Sequence, residues 1–186
     1  MKKFITIASS ILACAFAQAA SVDWSVAGSS FTTSDGSSAR ARNYLILVFQ
    51  DSDYATVTAA LSSGDSASVA SALESYTSQS GYTSTTKATG AAGSTFTTTE
   101  ASGTTLTLWT VAFDATTIAE ASNYLLSSAS VLSDAYEAPA TPSNTGSFSS
   151  SSYSGNSWTK MEAVPEPSVA LMGLLGIGML VKRRRA

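Results

Sequence analysis

NYLILVFQ, residues 43–50, carries apolar side chains at consecutive positions, so as an extended strand it must be covered on both faces. A second stretch of this kind is TLTLWTVAFD, residues 105–114, where Leu106 and Leu108 fall on one face and Trp109, Val111 and Phe113 on the other. The two predict central strands. Turn signals precede both: Asp35-Gly36 predicts a hairpin joining WSVAGSSFTT (24–33) to the first strand, and Ser102-Gly103 one joining STFTTTE (94–100) to the second.

Between the strands, residues 53–81 change period. Asp53 is placed to cap a short helix carrying Tyr54, Val57 and Leu61, ended by Gly64. Asp65 is placed to cap a second, with Val69, Leu73 and Tyr76 on one face and Gly81 closing it. The fold class expected is therefore α+β: a small, mainly antiparallel sheet domain with one or two short helices, followed by a single C-terminal transmembrane helix. Residues 48–61 and 112–125 share a plan of strand, Phe, Asp and an Ala-rich segment, which is either a worn duplication of one strand-helix unit or a chance match in an Ala/Thr-rich chain. The acidic domain is drawn over residues 20–137. Residues 138–163 read as a Ser/Thr/Pro-rich spacer, with a last strand near Trp158 left open.

Composition narrows the chemistry. The chain of 186 residues has no histidine, and its one cysteine is Cys14. That excludes a Ser-His-Asp triad, a Cys-His pair and an imidazole metal site. Residues 20–163 hold twelve Asp and Glu against Arg40, Arg42, Lys87 and Lys160, a net charge of −8 that argues against nucleic acid as a partner. Carboxylate chemistry remains, since glycoside hydrolysis needs only two acids at a fixed separation. Acids scattered singly along a chain fit surface, cap and turn positions better, so no catalytic residue, cofactor or metal is assigned. Asp51-Ser52-Asp53 offers two carboxylates where Ca²⁺ takes about six to eight oxygens, and helix capping is the better reading. Tyr44, Tyr54, Tyr82, Tyr124, Tyr136, Tyr153 and Trp158 are either a sugar-stacking platform or divided between core and surface. No spacing puts them on one face, and division is the expectation.

The two ends carry a different kind of information. At the start, Lys2 and Lys3, an apolar run over residues 4–16 and Ala17-Gln18-Ala19 have the layout of a secretory signal peptide, with cleavage by signal peptidase after Ala19. Cleavage there removes Cys14, so the exported chain has no disulfide and is held by its core alone. Ile11-Leu12-Ala13-Cys14 fits a lipoprotein signal only loosely, and a fatty-acylated Cys14 is the alternative. At the other end, VPEPSVALMGLLGIGMLVKRRRA, residues 164–186, sets Pro165, Glu166 and Pro167 before an apolar run and Lys182, Arg183, Arg184 and Arg185 after it. The 13 residues from 169 to 181 cover only about 20 Å of a hydrocarbon core roughly 30 Å thick. Residues 168–181 span only as a marginal anchor, helped by snorkelling basic side chains that stay cytoplasmic. The two prolines keep Glu166 on extended chain outside that helix.

A Pro-Glu-Pro triplet, an apolar helix and an Arg-rich end, in a chain with a signal peptide, resemble the PEP-CTERM sorting signal of exported bacterial proteins. The resemblance covers residues 164–186 and no more. It implies recognition by exosortase, a membrane enzyme with a cysteine nucleophile, cleavage near Pro165, Glu166 and Pro167, and delivery to the cell surface or extracellular matrix, often alongside exopolysaccharide. The expected protein is non-enzymatic and transiently anchored in the inner membrane. The alternatives are a carbohydrate-active enzyme using paired carboxylates and a tail-anchored periplasmic binding or structural domain.

Overall fold

The computed structural model describes residues 20–27, 29–36, 42–87, 90–98, 105–132 and 145–162. Among them are nine strands: β1 (Ala20–Ala27), β2 (Asn43–Gln50), β3 (Thr83–Lys87), β4 (Ala91–Thr98), β5 (Leu106–Phe113), β6 (Asn123–Leu126), β7 (Ser130–Leu132), β8 (Thr145–Phe148) and β9 (Thr159–Lys160). Four short helices accompany them: α1 (Tyr54–Leu61), α2 (Ser66–Ala72), α3 (Glu74–Ser78) and α4 (Ser150–Tyr153). The strands form a large sheet of order β3-β2-β5-β6-β9, with β7 on the far end of β5, and a small sheet of order β4-β1-β8. All pairings are antiparallel except β1 with β8. The architecture is α+β, in three layers.

The two apolar stretches lie side by side at the centre. From Tyr44 to Gln50 every residue of β2 is buried, and its register with β5 runs from Leu45 opposite Phe113 to Gln50 opposite Leu108. Cross-strand partners share a face. Tyr44, Ile46 and Val48 join Leu106, Leu108 and Ala112 against Val22, Trp24, Val26, Phe96 and Phe148 of the small sheet. On the opposite face Leu45, Leu47, Phe49, Val111 and Phe113 meet Val57 and Leu61 of α1, Val69 of α2, and Leu73. Both predicted central strands and their facing pattern are thus present.

Neither predicted hairpin forms. β1 pairs with β4 along its whole length, Ala20 opposite Thr98 through Ala27 opposite Ala91, and β2 takes β3 and β5 as neighbours. The reason lies in the side chains: β4 alternates buried Ala92, Phe96 and Thr98 with exposed residues, which suits an outer sheet with one wet face. β2 and β5 need two covered faces and can satisfy that only beside each other in the middle layer. A turn dipeptide specifies a reversal and leaves the partner open.

The helical segment also differs in detail. Asp65 caps α2 as expected, accepting from the backbone N–H of Ala67 and Ser68, each at 3.1 Å, and Gly64 takes the positive φ (+72°) of a helix end. Asp53 makes no capping bond; it ends a 3₁₀ turn, Asp51–Asp53, that leads into α1. The expected second helix breaks at Leu73 into α2 and α3, so with α4 the helices number more than the one or two expected. Gly81, before β3, has φ +85°, and a Cβ there would lie 2.0 Å from the carbonyl oxygen of Thr95. Only glycine allows that approach between the two sheets.

The proposed duplication finds no counterpart. After Phe113 the chain makes an irregular loop and returns as β6. Asp114 closes that loop by accepting from the N–H of Ser122 and Asn123 and from the Asn123 side chain at 2.7–2.9 Å, while Ile118 and Ala121 plug the helix-side core. Residues 145–162, read as spacer, are folded into the body. β8 joins the small sheet, Tyr153 of α4 and Trp158 pack into the core between the sheets, and β9 pairs with β6. The last strand left open near Trp158 is β9, and the folded body runs on to Glu162 rather than stopping at residue 137.

Candidate functional site

The end of the folded body is fastened. Met161 is 1% exposed, and its N–H donates to the carbonyl of Ser122 at 2.7 Å. Glu162 then bridges to Asp65: its N–H donates to the carbonyl of Gly64 at 2.6 Å and its carbonyl accepts from the N–H of Ser66 at 3.2 Å. Pro165 follows three residues later, a reach of about 10 Å for fully extended chain. The described body thus ends fastened at the α1–α2 turn.

A cleft of about 480 Å³ opens on the helix-side face of the large sheet, a size within the range of small-ligand sites. Its floor comes from Trp109 of β5 and from Tyr124 and Leu126 of β6, which share the face because Phe113 stands opposite Tyr124 and Val111 opposite Leu126. Tyr54, the first residue of α1, forms one wall, its ring centroid 4.4 Å from that of Trp109 at an interplanar angle of 41°. Residues 127–129 and 155–157 form the rim. The three aromatic residues are half-buried. The Trp109 indole N–H donates to Asp51 at 3.1 Å, and the Asn156 amide donates to the carbonyl of Leu126 at 2.7 Å. Both groups fix the cleft in shape without filling it.

The tyrosines divide. Tyr44, Tyr82 and Tyr153 are buried core residues at 0%, 8% and 5% exposure, and Trp158 packs beside them. Tyr54 and Tyr124 reach the cleft, together with Trp109, which the sequence presents only as a strand residue; its place opposite Phe49 next to a helix start depends on the register of β2 and β5. Tyr136 lies outside the described residues. Asp51 holds Trp109, and Asp53 accepts from the Tyr76 hydroxyl. Burial and that bond push Tyr76 up to about 12. Asp65 is held below the usual carboxylate range, first by the Ser68 hydroxyl and then by the backbone N–H groups it caps. Among the described residues no group of three or more His, Cys, Asp or Glu side chains is arranged to hold a metal. No described helix is long and apolar enough to cross a membrane.

The remaining predicted sites, Ala17 and Ala19 at the signal cleavage, Cys14, Pro165, Glu166 and Pro167, the apolar run and Lys182, Arg183, Arg184 and Arg185, lie outside the described residues. No curated protein and no solved structure matches the chain. Residues 163–186 match the family model of the PEP-CTERM protein-sorting motif, which supports sorting by an exosortase and an extracytoplasmic destination for the body that precedes it.

Proposed function

We propose that the chain is a non-enzymatic protein of the cell surface or extracellular matrix, delivered there by exosortase processing of its tail and associated with exopolysaccharide. A signal peptide ending at Ala19 starts export, and residues 168–181 hold the chain in the inner membrane until Pro165, Glu166 and Pro167 are handled by the sorting enzyme. The observation that carries this reading is the match of the PEP-CTERM protein-sorting motif to residues 163–186. The fastening of Glu162 to the α1–α2 turn supports it as well, because the triplet begins only three residues further along the sequence. A binding role is favoured over hydrolysis by the lining of the cleft, which among the described residues includes no Asp or Glu to act as acid and base.

The test is fractionation of the native host carrying the wild-type chain, a Glu166→Ala variant or a chain lacking residues 182–186. The wild type is expected in envelope and extracellular fractions, and both variants in the inner membrane. The same distribution for all three would overturn the sorting reading and favour a tail-anchored periplasmic domain.

A further inference from the structure

We propose that the Tyr54–Trp109–Tyr124 cleft is a binding site for a neutral saccharide, the rings stacking on the C–H face of a pyranose. The assignment deepens the exopolysaccharide reading and rests on it for the source of the glycan. Three features of the cleft select this ligand class. Its aromatic surface is half-exposed, with the Tyr54 and Trp109 rings in contact and the indole locked by Asp51, so little ordering is required on binding. Its rim carries the amide of Asn156 and the hydroxyls of Ser128 and Thr159, all exposed. A ligand with one apolar face edged by hydroxyl groups matches such a surface, as does the amphipathic character of Tyr and Trp themselves.

Charge narrows the class further. Among the described residues no Lys or Arg lines the cleft, and the body around it carries a net charge of −8, so a polyuronate or sulfated glycan is disfavoured by repulsion. With no carboxylate among the described lining residues, the bound sugar is held and not cleaved.

The experiment uses the purified full-length chain in detergent, titrated with a soluble neutral glucan and, separately, with a polyuronate, read by tryptophan fluorescence and by calorimetry. Expected are saturable binding of the neutral glucan, no binding of the polyuronate, and an affinity loss of about tenfold or more in Trp109→Ala and in Tyr124→Ala. Tyr124→Ala guards against misfolding of the Trp109 variant, and the thermal transition of each is recorded alongside. Binding that survives both substitutions would overturn the cleft assignment while leaving the exopolysaccharide reading in place. Binding of the polyuronate alone would overturn the neutral class. A wild type that ignores both polymers yet stays with the host's matrix would also overturn the site, whereas one that is absent from the matrix as well would remove the exopolysaccharide reading beneath it.

Discussion

The large sheet carries an aromatic group on each face, and the two have opposite fates. Between the sheets, Phe31 stands edge-on to Tyr44, Tyr153 and Trp158, with centroids 4.9, 5.3 and 5.9 Å away. On the helix side, Tyr54 and Trp109 are in contact with Tyr124 nearby, and all three face an open cleft. Each group has a tryptophan whose N–H is satisfied, Trp158 by the carbonyl of Thr32 and Trp109 by Asp51. Residue type therefore does not separate them. The difference is the extent of cover: in the first group Phe31, Tyr44 and Tyr153 are at most 8% exposed and only Trp158, at the edge of a smaller cleft, is half-buried, while in the second all three are half-buried and α1 reaches only Tyr54. Aromatic residues become core where a layer covers them and recognition surface where the layer stops.

The largest effect expected from this comparison is on stability. Phe31→Ala opens a cavity among three rings and should cost about 3–5 kcal/mol, whereas Trp109→Ala, on the half-exposed side, should cost less than half as much. Urea denaturation with unchanged slope measures both, and equal losses would erase the distinction. Next in size is Tyr153→Phe. The Tyr153 hydroxyl shares a 2.7 Å hydrogen bond with buried Thr110, so its removal strands the threonine and should cost about 1–3 kcal/mol, much of it recovered in the Tyr153→Phe, Thr110→Val double variant.

Alkali sharpens the contrast further. Burial raises Tyr153, Tyr44 and Tyr76 above the ordinary tyrosine value. Below about pH 10 both folded and unfolded chains keep these protons. As the pH rises above that, the unfolded chain releases them first, so stability falls with rising pH. The slope of the denaturation midpoint against pH should be shallower in Tyr153→Phe, and an unchanged slope would contradict the burial of that hydroxyl. The smallest effect is predicted at Tyr44, whose buried hydroxyl has no hydrogen-bond partner among the described residues. Tyr44→Phe should be neutral or stabilising by up to about 1 kcal/mol; a loss larger than that would mean the hydroxyl is engaged.

What could be read from the sequence follows from what is local. The two buried strands, their facing pattern and the Asp65 cap need only neighbours within a few residues, and each is present. The hairpins failed because strand partnership is decided by how many faces a strand must cover, a property of the whole set of strands. The folded end went unseen for a similar reason: TGSF and TK are too short and too polar to announce strands, and they become so only by pairing with β1 and β6. The cleft likewise exists only through the register that sets Trp109 beside Tyr54. The tail is legible because a sorting enzyme reads linear chain, so the signal must be written in consecutive residues.

The most direct measurement of the central claim is the intact mass and terminal peptide map of the protein recovered from its native host, taken separately from membrane and extracellular fractions. The account predicts an extracellular chain that begins at Ala20, retains Glu162 and ends near Pro165, without the basic terminus. An extracellular chain still carrying Lys182, Arg183, Arg184 and Arg185, or a protein found only in the membrane with its tail intact, would contradict it.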